Sequence, residues 1–186
     1  MKAIIICGWS ATGKTTVAKI ISEKLGIKLL SGSEILMSMA KEMGYSPNGD
    51  DWWDTEQGMK FLAERTKNFD FDKEVDRRLI KEAEKGNVVM TSYTLPFISK
   101  EGIKIWLDAS EKNRAMRMSH RDRITFEAAS KVLKARDKEN GELYLKMYDI
   151  RFGKDFSPFD MVIDANSATA EEIASLIMEY VKKAFA

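Results

Sequence analysis

Gly8-Trp9-Ser10-Ala11-Thr12-Gly13-Lys14-Thr15 fits the pattern G-x-x-x-x-G-K-[ST], and the apolar run Ile4-Ile5-Ile6-Cys7 leads directly into it. A loop of this kind wraps the α- and β-phosphates of a nucleotide in backbone N–H groups. Its lysine reaches the β- and γ-phosphates, and its last hydroxyl ligates magnesium. Gly8, Trp9, Ser10, Ala11, Thr12, Gly13, Lys14, Thr15 and Thr16 are therefore the candidate nucleotide-binding residues, with Thr15 the candidate magnesium ligand. Average glycine usage makes a chance match in a chain this size on the order of one in a hundred. The flanks make it rarer still, because Ile4 to Cys7 reads as a buried strand and Thr16 to Leu25 as a helix. Strand, loop and helix in that order aim a helix N-terminus at an anion.

The chain of 186 residues is long enough for one domain with a substantial core. Its composition, 44% hydrophobic and 32% charged, is that of an ordinary globular protein. Thirty basic against 29 acidic residues leave a formal charge of +1, which argues against a general nucleic-acid binder. The single cysteine, Cys7, excludes an intrachain disulfide framework and a cysteine metal cluster, so a reducing cytoplasm is the expected location. The N-terminal apolar run is too short for a signal peptide, and no stretch approaches a membrane span. The expected partners are small nucleotides, neither nucleic acid nor membrane, and the expected state is a monomer.

Along the chain, Val17, Ile20, Ile21 and Leu25 keep helical spacing and Gly26 stops the helix. Ile27 to Leu30 is a second strand, after which Ser31 or Ser33 caps a helix carrying Ile35, Leu36 and Met39. A turn-rich stretch, Ser46-Pro47-Asn48-Gly49-Asp50, precedes Trp52-Trp53 and a helix from about Asp54 to Thr66. Another helix covers Lys73 to Lys85. Strands are predicted at Asn87 to Tyr93, Ile103 to Asp108 and Met161 to Asp164. Between the last two, Ser110 caps a helix through about Met118, and Thr125 begins a long charged helix to about Asp149. Thr169-Ala170-Glu171-Glu172 is a capping box for the final helix. Strands alternating with helices imply an α/β fold, a three-layer arrangement with a five-stranded parallel sheet covered on both faces. The predicted core is 1–32, 86–116 and 150–186, with a helical lobe at about 33–85 and a lid at about 117–136.

No N-K-x-D base-reading motif is present, which removes the GTPases, and the chain is too short for most helicases. Several further stretches occur in an ordered set: Leu30-Ser31-Gly32-Ser33-Glu34-Ile35, Lys104-Ile105-Trp106-Leu107-Asp108-Ala109, Arg114-x-x-Arg117-x-x-x-Arg121, Lys134-x-Arg136-Asp137 and Phe159-Asp160-Met161-Val162-Ile163-Asp164. With the phosphate loop, this set resembles the cytidylate kinases, particularly the short archaeal type, over almost the whole chain. The resemblance implies the nucleoside-monophosphate kinase fold, a mobile acceptor lobe and lid, and the reaction ATP + CMP → ADP + CDP. It implies that Lys14, Arg117, Arg121 and Arg136 are catalytic, the arginines closing over both phosphates. Phosphoryl transfer spreads negative charge over three oxygens, so catalysis is mostly positioning and electrostatics.

The acceptor side departs from that pattern. Met37 and Tyr93 stand where relatives carry arginines that clamp the monophosphate, Leu143 replaces another, and Asn140 replaces an aspartate. The candidate acceptor residues are Ser31, Ser33, Trp52, Trp53, Ser92, Tyr93 and Asp137. Thr91, Ser92, Tyr93 and Thr94 put hydroxyls at the carboxyl end of a parallel strand, where ligands of open α/β sheets sit. Trp52 and Trp53 either stack a base or close the core of the lobe. Arg65, Arg77 and Arg78 are candidates for the missing clamp. Glu34 is the carboxylate left to hold magnesium through water, since no acid ends the third strand. Two other readings keep the same phosphate loop: a small-molecule kinase with a different acceptor, and an ATP-binding regulatory protein with little turnover.

Overall fold

The computed structural model of the chain describes residues 1–47, 56–58, 60–61 and 69–184. Trp52, Trp53, Arg65 and most of the helix expected from Asp54 lie outside the described residues, though residues 56–58 and 60–61 are helical.

Five strands, β1 (Ile4–Cys7), β2 (Lys28–Ser31), β3 (Val88–Thr91), β4 (Ile103–Asp108) and β5 (Met161–Asp164), form one parallel sheet in the order β2-β3-β1-β4-β5. Successive side chains of a strand point to opposite faces, so a strand buried on both sides is apolar throughout. Ile4 and Ile6 accordingly join one core, with Ile105, Leu107 and the helices α1 (Lys14–Leu25) and α7 (Ala170–Ala184). Ile5 joins a second, with Met90 and the helices α2 (Gly32–Glu42) and α3 (Asp70–Lys85). Full burial is worth roughly 1.5–3 kcal/mol per large aliphatic side chain, so a strand as short as Ile4-Ile5-Ile6-Cys7, wholly buried, can hold the centre of the sheet.

The third core is aromatic. Cys7, Trp106, Tyr144, Ile150 and Phe152 are buried together beyond the carboxyl end of β1, with Trp9, Tyr93, Phe97 and Phe159 packed on them. Tyr144 comes from the long helix α6 (Phe126–Tyr148), and Phe97 from a short helix, α4 (Leu95–Ile98), that carries Pro96 in its first turn and is not evident in the sequence. A fourth cluster, Ala115, Met118, Ala129 and Leu133, joins α5 (Glu111–Asp122) to α6 and takes in Ala11 of the phosphate loop.

Helix α1 begins two residues earlier than expected and β2 lies one residue later, at Lys28–Ser31. Three other boundaries also differ. Helix α5 runs on through Ser119 and His120 to Asp122 and is broken by one residue, Arg123, in the left-handed region at φ 54°. Helix α3 begins at Asp70, because Asp70 and Asp72 in its first turn complement the positive end of the helix dipole. Strand β3 ends at Thr91, leaving Ser92 and Tyr93 beyond the ladder. The chain leaves β1 toward β2 on one side while β4 leads to β5 on the other, and that divergence opens a crevice at the carboxyl ends of the strands.

Candidate active site

The phosphate loop lies across this crevice. A β-carbon at Gly8, where φ is +142°, would come 2.4 Å from the carbonyl oxygen of Leu107 in β4, so only glycine lets β1 turn there. Ala11 takes the left-handed conformation at φ 61°. Gly13 provides the N-cap of α1, with no side-chain cap and no acidic residue in the first turn, so the helix itself brings no carboxylate that would repel an anion there. Thr12 is buried and its hydroxyl donates to Trp9 O at 3.0 Å, closing the loop on itself.

The Lys14 ammonium donates to Gly8 O at 2.9 Å and Trp9 O at 2.7 Å. It also lies 4.9 Å from the ring centroid of Tyr93. Thr15 and Thr16 are exposed at the start of α1. The Tyr93 hydroxyl lies 3.2 Å from Ser10 Oγ, and its ring stacks on Tyr144 with centroids 5.6 Å apart. Tyr93 is thus the point where the end of β3, the loop and α6 meet.

The expected catalytic arginines separate. Half-buried Arg117 donates to Thr12 O at 3.2 Å and to Ala165 O, beside the loop. Arg121 bonds its neighbour Asp122 at 2.6 and 2.9 Å, which holds that carboxyl below its usual range, with exposed Arg136 adding to the effect. Arg114, in sequence only the first member of the arginine spacing, is 5% exposed and reaches the loop more intimately than Arg121 or Arg136 does. It donates to Ala109 O at 3.2 Å, Ser10 O at 3.3 Å and Asp137 Oδ2 at 2.7 Å. Asp137 therefore stands beside the phosphate loop; burial pushes its carboxyl up more than Arg114 pulls it down.

The expected acceptor residues have local work. Ser31 caps α2: its hydroxyl accepts from Glu34 N at 3.1 Å and donates to Glu34 Oε2 at 2.8 Å, an oxygen that also accepts from Ser31 N. Loss of such a cap costs about 1 kcal/mol. Ser33 Oγ lies 3.1 Å from Ser31 Oγ, so Ser31, Ser33 and Glu34 form one capping unit. Ser92 accepts from Thr94 N and Leu95 N, holding the turn into α4. Trp52 and Trp53 lie outside the described residues. Arg77 pairs with Glu74, and Arg78 holds Glu42 through two bonds of 2.8 and 2.9 Å, so both are engaged on the outside of the lobe. A buried network has no counterpart in the sequence: Asp76 accepts from the Thr94 hydroxyl and, at 2.8 Å, from the Tyr148 hydroxyl, tying α3 to the start of α4 and to α6.

A sequence profile of the cytidylate kinase-like family matches residues 3–167. The chain belongs to this family. It is 32% identical over 183 residues to a cytidylate kinase of Pyrobaculum islandicum, covering 97% of this chain and 93% of that one. With a cytidylate kinase of Methanocaldococcus jannaschii the identity is 34% over 179 residues, covering 94% of each chain. A shikimate kinase from Acinetobacter baumannii, solved in complex with shikimate, superimposes with a TM-score of 0.62 at 19% identity, covering 98% of this chain and 94% of that one, a likeness of fold. Family and fold together make the chain an ATP-dependent phosphotransferase of the phosphate-loop kinase type.

Proposed function

We propose that this kinase transfers the γ-phosphate of ATP to CMP, giving ADP and CDP, and that it does so in the cytoplasm. The observation that carries the reading is that Lys14 and Arg117 both bond carbonyls of one loop, at the N-terminus of a helix with no acidic residue in its first turn, in a chain that matches cytidylate kinases along nearly its whole length. Lys14 exchanges the carbonyls of Gly8 and Trp9 for phosphate oxygens. Arg117, in reach of Thr12, offsets charge that develops on the transferring group; such a donor is worth about 3–4 kcal/mol in the transition state. Arg121 and Arg136 join them when the helices α5 and α6 move over the site, which also excludes water.

Magnesium fits the donor set. No group of three or more His, Cys, Asp or Glu that could hold a metal lies among the described residues. Magnesium commonly keeps several waters and is held by one or two protein oxygens plus substrate phosphates. The Thr15 hydroxyl would be its protein ligand, with Glu34 contributing through water once its carboxylate turns from the Ser31 cap. When bound, the ion neutralises charge on the β- and γ-phosphates.

One observation favours a second reading, a small-molecule kinase with another acceptor. Beside Lys14 lies the ring of Tyr93, packed in one cluster with buried Tyr144 and half-buried Leu143, an uncharged group where a monophosphate acceptor would call for a cation. The two readings separate in a coupled ADP-release assay across CMP, dCMP, UMP, AMP, GMP and phosphate-free hydroxyl compounds. The cytidylate reading expects the largest kcat/KM with CMP or dCMP. Turnover of a phosphate-free acceptor alone supports the second reading, and none above background ATP hydrolysis overturns both.

A further inference from the structure

Three consecutive loop residues are gripped from outside by α5 and α6. Arg114 donates to Ser10 O, Ala11 packs into the Ala115–Met118–Ala129–Leu133 cluster, and Arg117 donates to Thr12 O. A loop that offers its N–H groups to phosphate must turn its carbonyls away from them, and these arginines take two of those carbonyls. Arg117 has a place in the reaction already. Arg114 is too deeply buried to follow a substrate, and its guanidinium also lies 5.9 Å from the Trp9 ring. What holds it is Asp137 of α6, whose other oxygen, Oδ1, is buried without a hydrogen-bond partner. A buried ion pair with an unsatisfied oxygen is a poor way to gain stability, since an apolar pair of similar volume commonly does as well or better.

We infer that Asp137 is a positioning residue: acting through Arg114, it holds the Ser10–Ala11 segment of the phosphate loop in the shape that receives the triphosphate. This role places Asp137 on the ATP side of the site, away from the acceptor. It rests on the reading of the chain as a phosphate-loop kinase but is independent of which acceptor is used.

The test compares Asp137→Asn, which keeps volume and removes charge, with the paired variant Arg114→Met/Asp137→Leu, which removes both charges together. Each is examined by thermal melting, by calorimetric titration with magnesium-ATP, and by steady-state kinetics with ATP and the acceptor varied separately. The paired variant is expected to melt at or above the wild-type temperature yet bind ATP at least tenfold more weakly. Asp137→Asn should raise the KM for ATP at least tenfold while the KM for the acceptor moves less than twofold. ATP affinity within twofold of wild type in the paired variant overturns the inference, as does an equal rise of both KM values in Asp137→Asn. Should the paired variant not fold, Asp137→Asn decides alone. If the wild type binds ATP but phosphorylates no acceptor, the kinase reading fails while the calorimetric comparison still judges Asp137.

Discussion

Lys14 and Tyr93 face each other, ammonium nitrogen 4.9 Å from ring centroid, so the lysine of the phosphate loop is covered by a residue just beyond the end of β3. In the proposed kinase reaction the Tyr93 ring would bound the space between ATP and the acceptor. Tyr93→Ala removes that ring and its stack on Tyr144, an aromatic pair worth about 0.5–1.5 kcal/mol beyond its buried area. The KM for the acceptor should rise at least about fivefold, with less change for ATP. Tyr93→Phe loses only the contact with Ser10 Oγ and should stay within about threefold of wild type. Steady-state kinetics on both variants checks the pair.

Arg117→Ala should lower kcat by about two orders of magnitude or more, because the charge it offsets develops mainly in the transition state. Its bonds to Thr12 O and Ala165 O also shape the loop, so ATP affinity should fall as well, though less than kcat. Single-turnover kinetics beside an ATP titration separates the two effects. A drop in kcat under about tenfold would remove Arg117 from the reaction.

The segment after α6 is pressed against the phosphate loop through Gly153. Its φ is +71°, and a β-carbon there would lie 2.6 Å from the Trp9 ring. Phe152 beside it meets Trp9 edge-on, centroids 4.7 Å apart. Gly153→Ala should therefore cost about 1–3 kcal/mol of stability and displace Trp9. Chemical denaturation followed by tryptophan fluorescence reads both consequences.

Cys7 is buried in the aromatic core, with its thiol near Tyr93 O at 3.5 Å. Burial pushes the thiol up from 9.0 to about 12, more than the Lys14 charge pulls it down. The folded value lies above the unfolded one, so this group's contribution to stability is intact below about pH 9 and is lost as pH rises toward 12. Since only the thiolate is nucleophilic, a thiol reagent at pH 8 should label native protein at the rate of global opening and label unfolded protein at once. Fast native labelling would contradict the burial.

The five strands and the loop are legible in sequence because each rests on a contiguous signal: a short, mostly apolar run, a glycine spacing, a helix after it. The end of α5 is not, since helical residues continue to Asp122 and the break is a single backbone choice at Arg123. The aromatic core is illegible for another reason. Trp9, Tyr93, Trp106, Tyr144 and Phe152 are scattered through the sequence and meet only because the carboxyl ends of the strands converge. Arg114 reads as one more charged residue of a polar helix; only the fold shows it buried between Ala109, Ser10 and Asp137. Likewise Ser31, Ser92 and Glu34 carry the residue types of a binding site while serving as caps, a use that sequence does not distinguish from ligand contact.

The most direct measurement is chromatographic identification of products after incubation with magnesium-ATP and CMP, run for wild type and for Lys14→Met. Wild type should accumulate equimolar ADP and CDP over many turnovers, and Lys14→Met at least about a hundredfold less of both. ADP formed without CDP, or CDP formed equally well by Lys14→Met, would contradict the proposed reaction.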